Sequence, residues 1–462
     1  MYHLVLLLLL SFPLSAQLHP AGTWYGTLDL GSRQLHLEVN LTEGKEGWEG
    51  NLKSDAESPA PIPFETVTVT EDSLHFGVPA VGIRYRGAIA TDSISGTFSR
   101  GSFRAPLSLY RVSHTTSEVV DGTARPQDPA DRPYQRQEVT FPGGATDVVL
   151  AGEITRPADG PPRAGIVLVS GSGPQDRNED LGPVINHRPF LVLSDFLTRR
   201  GYAVLRYDDR GVAESTGNFA TATSADFADD AAAAYRYLRD QLPEGTPTGL
   251  GGHSEGGLIL PLVARAEQAV DFLVLLAAPG LPIDELMAEQ RRLVGKGEDP
   301  LEPVQMATTA YLKQHPDQDD AAFRAGLNDT IIATIPELPE AMRAAITDPN
   351  AFAKTFVNAY AGPWMRYFFA YDPEPALAAL RMPVLAINGE KDVQVSPANL
   401  TAIADILATA GNEAVATRLI PGANHLLQPA ETGLPQEYGQ IELTIDPAVL
   451  ELIADWLDAR FP

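Results

Sequence analysis

The chain predicts an α/β fold: a doubly wound, mostly parallel sheet with a helical cap inserted in it, preceded by a small all-β domain. Three observations lead there. From about residue 135 onward, short apolar strands alternate with amphipathic helices, the pattern of a parallel sheet covered on both faces. Residues 18–112 instead carry short alternating runs separated by Gly, Asp and Asn clusters, with no helical period, as in a small sandwich or barrel. Between Pro279 and about Glu374 the strand pattern stops, and a stretch rich in Ala, Leu, Met and Gln takes its place.

The elements follow in chain order. Leu4 to Leu10 is an unbroken apolar run that ends at Ser15-Ala16-Gln17. It is too short to span a bilayer, and it reads as a secretory signal over residues 1–16, cut after Ala16. Met1-Tyr2-His3 lacks the usual positive charge, so a short N-terminal anchor is the alternative. A secreted or periplasmic protein without stable membrane insertion is expected. In the β domain, Leu35-His36-Leu37-Glu38-Val39 and Thr66-Val67-Thr68-Val69-Thr70 are typical strands. Residues 113–134 are polar, with Pro126, Pro129 and Pro133, and read as a linker.

The α/β part begins in earnest at the buried strand Ala164 to Ser170. A helix over His187 to Arg200 puts Phe190, Leu193, Phe196 and Leu197 on one face. Further strands are expected at 202–207, 248–253, 272–277, 383–388 and 414–420. Helices are expected at 226–240, 255–266, 397–408 and 447–458.

Charge and composition narrow the function. The formal net charge is −26 over 462 residues, which repels phosphate backbones and argues against nucleic-acid binding. No cysteine is present, so disulfides, thiolate metal sites and a cysteine nucleophile are excluded. No metal or other cofactor is called for.

Gly252-His253-Ser254-Glu255-Gly256 has the G-x-S-x-G form, with an apolar strand entering and an apolar-faced helix leaving. Flanking glycines let the backbone turn sharply. The new helix aims backbone N–H groups at the serine, where an oxyanion can form. A serine hydroxyl needs a base, and the chain has nine histidines. His3 lies in the signal, and His19, His36, His75 and His114 precede the α/β part. His187 opens a helix, the His253 side chain points away from that of Ser254, and His315 lies in the cap. His425 remains, in the loop after the last expected strand, where a fold of this kind supplies its base. Asp392, after the strand ending at Asn388, is the choice for the orienting acid, with Glu390 and Asp284 as rivals. The loop Gly171-Ser172-Gly173-Pro174-Gln175-Asp176-Arg177 follows the first strong strand, and the N–H groups of Ser172 and Glu255 are the candidate oxyanion donors.

That loop, Arg206-Tyr207-Asp208-Asp209-Arg210-Gly211 and Gly252-His253-Ser254-Glu255-Gly256-Gly257, taken in order, resemble bacterial α/β-hydrolase esterases of the EstD type. The resemblance covers about residues 135–462. It implies carboxylesterase activity on short acyl esters, no metal, and a triad falling on Ser254, Asp392 and His425. It also fits an N-terminal β domain. Ala213 departs from the pattern, where another glycine is usual. Asp208, Asp209 and Arg210 are expected to brace a loop rather than to react. Of the aromatic residues closing the cap, Trp364, Tyr367 and Phe368 are candidates for an acyl pocket, against plain cap-on-core packing. Two other functions stay open: an aminopeptidase using Glu255, Asp284 or Glu285 to hold an amine, and a glycan- or surface-binding protein on a degenerate scaffold. Oligomeric state is not legible. Asn40-Leu41-Thr42 has the form of a glycosylation acceptor.

Overall fold

Every second residue of the early strands is apolar, and those residues share one side of a single sheet. In the computed structural model, the described residues are 20–110, except 30–33, 45–46, 55–57, 71–72, 80–81, 90–92 and 101–102, together with 124–294 and 299–462. The expected signal segment, 1–16, lies outside them. The chain divides into two compact units, Met1–Ser113 and His114–Pro462.

The first unit contains β1 (Gly22–Asp29), β2 (Gln34–Gly44), β3 (Gly47–Ser54), β4 (Ser58–Pro63), β5 (Thr66–Val69), β6 (Ser73–Val78), β7 (Ile83–Ile89), β8 (Ser93–Arg100) and β9 (Phe103–Tyr110). They form one antiparallel sheet in the order β4-β3-β2-β1-β9-β8-β7-β6-β5. Only Phe64 and Glu65 connect the two outermost strands. Phe64 N–H donates to the Gly50 carbonyl, Glu65 N–H donates to the Gly77 carbonyl, and the Phe64 ring stacks on Phe76 at 4.1 Å. The sheet has therefore curled into a half-barrel, which decides between the barrel and sandwich expectations. Trp24, Val39, Leu74, Tyr85, Ile94 and Leu109 fill its inside. The polar tips buried with them are satisfied: Trp24 Nε1 donates to Pro20 O and Tyr85 Oη to Ile94 O, each at 2.9 Å.

The second unit is built on β10 (Gln135–Pro142), β11 (Val149–Arg156), β12 (Gly165–Val169), β13 (Ala203–Tyr207), β14 (Thr248–His253), β15 (Leu273–Leu276), β16 (Val384–Gly389) and β17 (Val415–Ile420). The sheet order is β10-β11-β13-β12-β14-β15-β16-β17. From β13 to β17 all pairings are parallel, while β10 and β11 add an antiparallel hairpin at one edge. The helices Ser224–Asp240, Glu255–Ala266 and Pro397–Thr409 cover one face, and Pro189–Arg199 and Pro447–Asp458 cover the other. The sequence had suggested β12 onward but not the edge hairpin. After β12 the chain runs to β13 on one side, then crosses to β14 on the other. The loops leaving the ends of β12 and β14 thus face each other across a crevice, where sheets of this kind carry their sites. Between β15 and β16 the described residues are helical, from Ile283–Val294 to Glu374–Leu377, with no strand.

The expected linker is only partly one. Residues 124–134 are fastened to the second unit. The Arg125 guanidinium donates to the carbonyls of Ile185, Asn186, Gly439 and Ile441, and Gln127 bonds the backbone of Thr444 and Ile445.

Candidate active site

Ser254 stands between β14 and the helix Glu255–Ala266, at φ +53 and ψ −120. A β-carbon is strained there. The strain persists because both flanking contacts leave no choice. A Cβ on Gly256 would collide with the Val169 carbonyl, and one on Gly252 would lie 2.5 Å from Gly256 C. Ser254 N–H donates to Leu276 O at 2.9 Å. Although Ser254 holds the N-cap position, its hydroxyl caps nothing and remains available. Glu255 N–H lies in the first helical turn, where such groups are left unpaired. Ser172 N–H likewise has no partner among the described residues. A Cβ on Gly171 would come within 3.3 Å of Ser254 Cβ, so the loop after β12 touches the serine.

His425 and Asp392 are together. His425 Nδ1 is 2.8 Å from Asp392 Oδ2, and both side chains are buried. Asp392 Oδ1 meanwhile accepts the N–H groups of Gln394 and Val395 at 2.9 and 2.8 Å. This fixes the carboxylate in its turn and leaves His425 Nε2 as the nitrogen free of a carboxylate. The rival acids lie elsewhere: Glu390 accepts Gly422 N–H, and Asp284 pairs with Lys313 at 2.7 Å. No hydrogen bond joins Ser254 Oγ to His425. What ties the imidazole's loop to the serine is the neighbouring residue, since His253 Nε2 is 3.0 Å from the His425 carbonyl oxygen and the two rings are 4.8 Å apart.

Sequence reasoning discarded His253 and never weighed Glu179. They form a buried pair, with His253 Nδ1 2.8 Å from Glu179 Oε1, and the same oxygen accepts Gly171 N–H at 3.0 Å. Burial alone would depress the proton affinity of His253. The Glu179 carboxylate and the bond to the His425 carbonyl outweigh it and raise that affinity above the ordinary imidazole range. No motif marks Glu179. Its one local sign, φ +54 on a non-glycine residue, is invisible in sequence.

The Asp208-Asp209-Arg210 set divides its work. Asp208 braces Arg177 at 2.7 Å and accepts Arg177 N–H at 2.8 Å. Arg210 pairs with Asp230 at 2.6 Å. Among the described residues Asp209 pairs with no cation. It accepts Gln175 N–H at 3.0 Å and the Ser170 hydroxyl at 3.1 Å, holding the loop after β12 from below. Burial pushes its pKa well above the usual carboxyl range, and Glu255 and Asp230 push it further, against those two bonds. Burial likewise raises Glu255, partly offset by Ser224 and Trp364. A cavity of about 10 Å³ lies between Asp209, Glu255, Ser170 and Gly171, near the least space that holds one water.

The three cap aromatics do not line that cavity. Trp364 Nε1 donates to Glu255 Oε1 at 2.8 Å, and Ser224 Oγ donates to the same oxygen at 2.6 Å. Trp364 stacks on Phe368 at 4.7 Å, and Tyr367 stacks on Tyr371 at 5.9 Å. Trp364 thus reaches the residue after Ser254, Phe368 supports it, and Tyr367 is engaged in packing. Among the described residues no group of three or more His, Asp or Glu is set to hold a metal ion, and no helix is long and apolar enough to cross a membrane.

The chain is similar to several known proteins. A family model described as serine aminopeptidase, S33, matches residues 189–432. Esterase EstD of Thermotoga maritima is 26% identical over 365 residues, which are 78% of this chain and 75% of that protein. An esterase of Pyrococcus furiosus aligns at 16% identity and a TM-score of 0.42, over 76% of this chain and 100% of its own. A proline iminopeptidase of Mycobacterium smegmatis aligns at 17% and 0.41, over 70% and 100%. With the family model matched over more than half its length, the chain belongs to the family described as serine aminopeptidase, S33, and is a serine hydrolase of the α/β-hydrolase fold.

Proposed function

We propose that the chain is a carboxylesterase that cleaves short-chain esters through an acyl-enzyme on Ser254. The observation that carries the reading is a carboxylate-bound imidazole, His425 on Asp392 at 2.8 Å, anchored through its own carbonyl to the residue beside a strained, uncapped serine. Asp392 accepts the Nδ1–H of His425 and so leaves Nε2 with its lone pair. Nε2 takes the Ser254 proton as Oγ attacks the ester carbonyl. The N–H groups of Ser172 and Glu255 receive the oxyanion. His425 returns the proton to the leaving alcohol, then takes one from water, whose oxygen attacks the acyl-enzyme and frees the acid. The similarity to an esterase of Thermotoga maritima supports an ester as substrate. The cap residue Trp364 reaches Glu255, the residue after Ser254, at 2.8 Å, and this close cap contact supports a short acyl group.

A second reading rests on Glu255, a buried carboxyl next to the nucleophile in a family described by its aminopeptidases. It would ionise to hold a substrate amine. One set of assays separates the two. p-Nitrophenyl esters of increasing acyl length and aminoacyl p-nitroanilides are given to wild type, Ser254→Ala and Glu255→Gln. The ester reading expects the fastest turnover with short acyl chains. It expects a loss of at least about 10⁴-fold in Ser254→Ala and near-normal ester turnover in Glu255→Gln, which keeps both bonds to Oε1. Undiminished ester hydrolysis by Ser254→Ala would end it. Faster anilide turnover that collapses in Glu255→Gln would favour the aminopeptidase. Export belongs to the proposal as well, with the Leu4–Leu10 run as the signal. N-terminal sequencing of secreted protein is expected to begin at Gln17.

A further inference from the structure

His253 has a hydrogen-bond acceptor on each ring nitrogen. Nε2 is 3.0 Å from the carbonyl oxygen of His425, and a carbonyl has only lone pairs to offer, so Nε2 carries a proton. Nδ1 is 2.8 Å from Glu179 Oε1. That oxygen is already accepting the Gly171 N–H at 3.0 Å, which is the behaviour of a carboxylate, so Nδ1 carries a proton too. A ring protonated on both nitrogens is an imidazolium. It is buried, with 8% of its surface exposed, and Glu179 has 1%. The groups facing it are few. Glu179 comes from the loop after β12, His425 from the loop after β17, and Asp392, behind His425, from the loop after β16. Arg177, the nearest cation in sequence to Glu179, is taken up by Asp208, Glu138 and Glu214. A buried carboxylate whose second oxygen has no partner is costly unless a positive charge adjoins it, and His253 is the cation at hand.

We propose that His253 and Glu179 are positioning residues: a standing imidazolium–carboxylate clamp that ties the backbone of His425 to the N–H of Gly171, so that the general base and the oxyanion loop are held as one unit. This rests on the reading of His425 as the base. The clamp joins the loops after β12 and β17 to the last residue of β14, at the point where the reaction needs them in register. It also sets a fixed positive charge 4.8 Å from the His425 ring.

The test uses the full-length chain and has two readouts. Nitrogen-15 NMR on histidine-labelled protein, with His253→Gln used for assignment, is expected to find both ring nitrogens of residue 253 as N–H between about pH 6 and 8. A single neutral tautomer there would overturn the proposal whatever the kinetics. The second readout is the split between kcat and KM in ester turnover. His253→Gln keeps a donor for the His425 carbonyl and loses the charge. His253→Asn keeps a donor for Glu179 and loses the hold on His425. Both are expected to lose about tenfold or more in kcat with KM within about twofold, the split expected of residues that position the base rather than bind substrate. Wild-type kcat in both variants would remove the clamp. Ser254→Ala separates the failures. If it stays active, the reading of the site fails, while the NMR result still decides the state of His253.

Discussion

Two carboxyls that line the small cavity beside Ser170 and Gly171, Asp209 and Glu255, are better buried than paired, and they make stability depend on pH in a definite direction. Both have folded-state pKa values above those of the unfolded chain, because burial penalises their charge. Between the two values the folded protein holds more protons than the unfolded one, so stability falls as pH rises through that window. His253 acts the same way: its contribution is complete below the ordinary imidazole range and is lost as pH rises through its raised folded value. Asp209→Asn can still accept Gln175 N–H through Oδ1 and donate to the Ser170 hydroxyl through Nδ2. It is therefore expected to fold, to unfold at the same or a higher temperature than wild type at neutral pH, and to flatten the slope of Tm against pH between about pH 5 and 8. Melting curves over that range check it, and a slope as steep as wild type would show that Asp209 does not titrate there. At this scale the sequence was legible where chemistry forces a pattern. Ser254 is marked by its glycines, and His425 and Asp392 by the strands they follow. Glu179 and the bonding of His253 were not legible, because contacts assembled from two separate loops and the end of β14 leave no local spacing to read.

Helices and strands nearest the site were read most closely. Thr248–His253 and Glu255–Ala266 match the expectation at both ends, since the elbow fixes where one stops and the other starts. Pro447–Asp458 matches too, where Pro447 opens the helix and Asp446 caps it by accepting Ala448 N–H at 2.9 Å. The β10–β11 hairpin was missed. β10 is an edge strand with most residues exposed, so it lacks the continuous apolar run that betrays a central strand. The stretch 124–134 was read as linker because its hold on the fold is polar. One guanidinium answering four main-chain carbonyls gives no hydrophobic signal. Arg125→Ala would leave those carbonyls without their donor, and a loss of about 2–4 kcal/mol is expected for the second unit. Urea unfolding followed by tryptophan fluorescence measures it. A change under about 0.5 kcal/mol would mean water replaces the guanidinium at little cost.

Across the whole molecule, two cores of different design share one chain: a layered sheet between helices, and a curled sheet that packs on itself. The net charge of −26 lies almost wholly in the second unit, and it is a property that governs solubility and encounter rather than architecture. The order of strands in the first unit carries one more consequence. Its opening and closing strands are hydrogen-bonded neighbours, with Tyr25 opposite Tyr110, while the chain's passage from β4 to β5 is the two-residue hop at 64–65. A circular permutant of residues 20–110, joined end to start and cut at that hop, would read β5 through β9 and then β1 through β4. Chain order and spatial order would coincide, and every pairing would become a hairpin between successive strands. Lower contact order shortens the search for the native state. The permutant is thus expected to refold faster than the natural arrangement in stopped-flow experiments while keeping its tryptophan spectrum, and slower refolding would mean that pairing β1 with β9 is not what limits the natural chain.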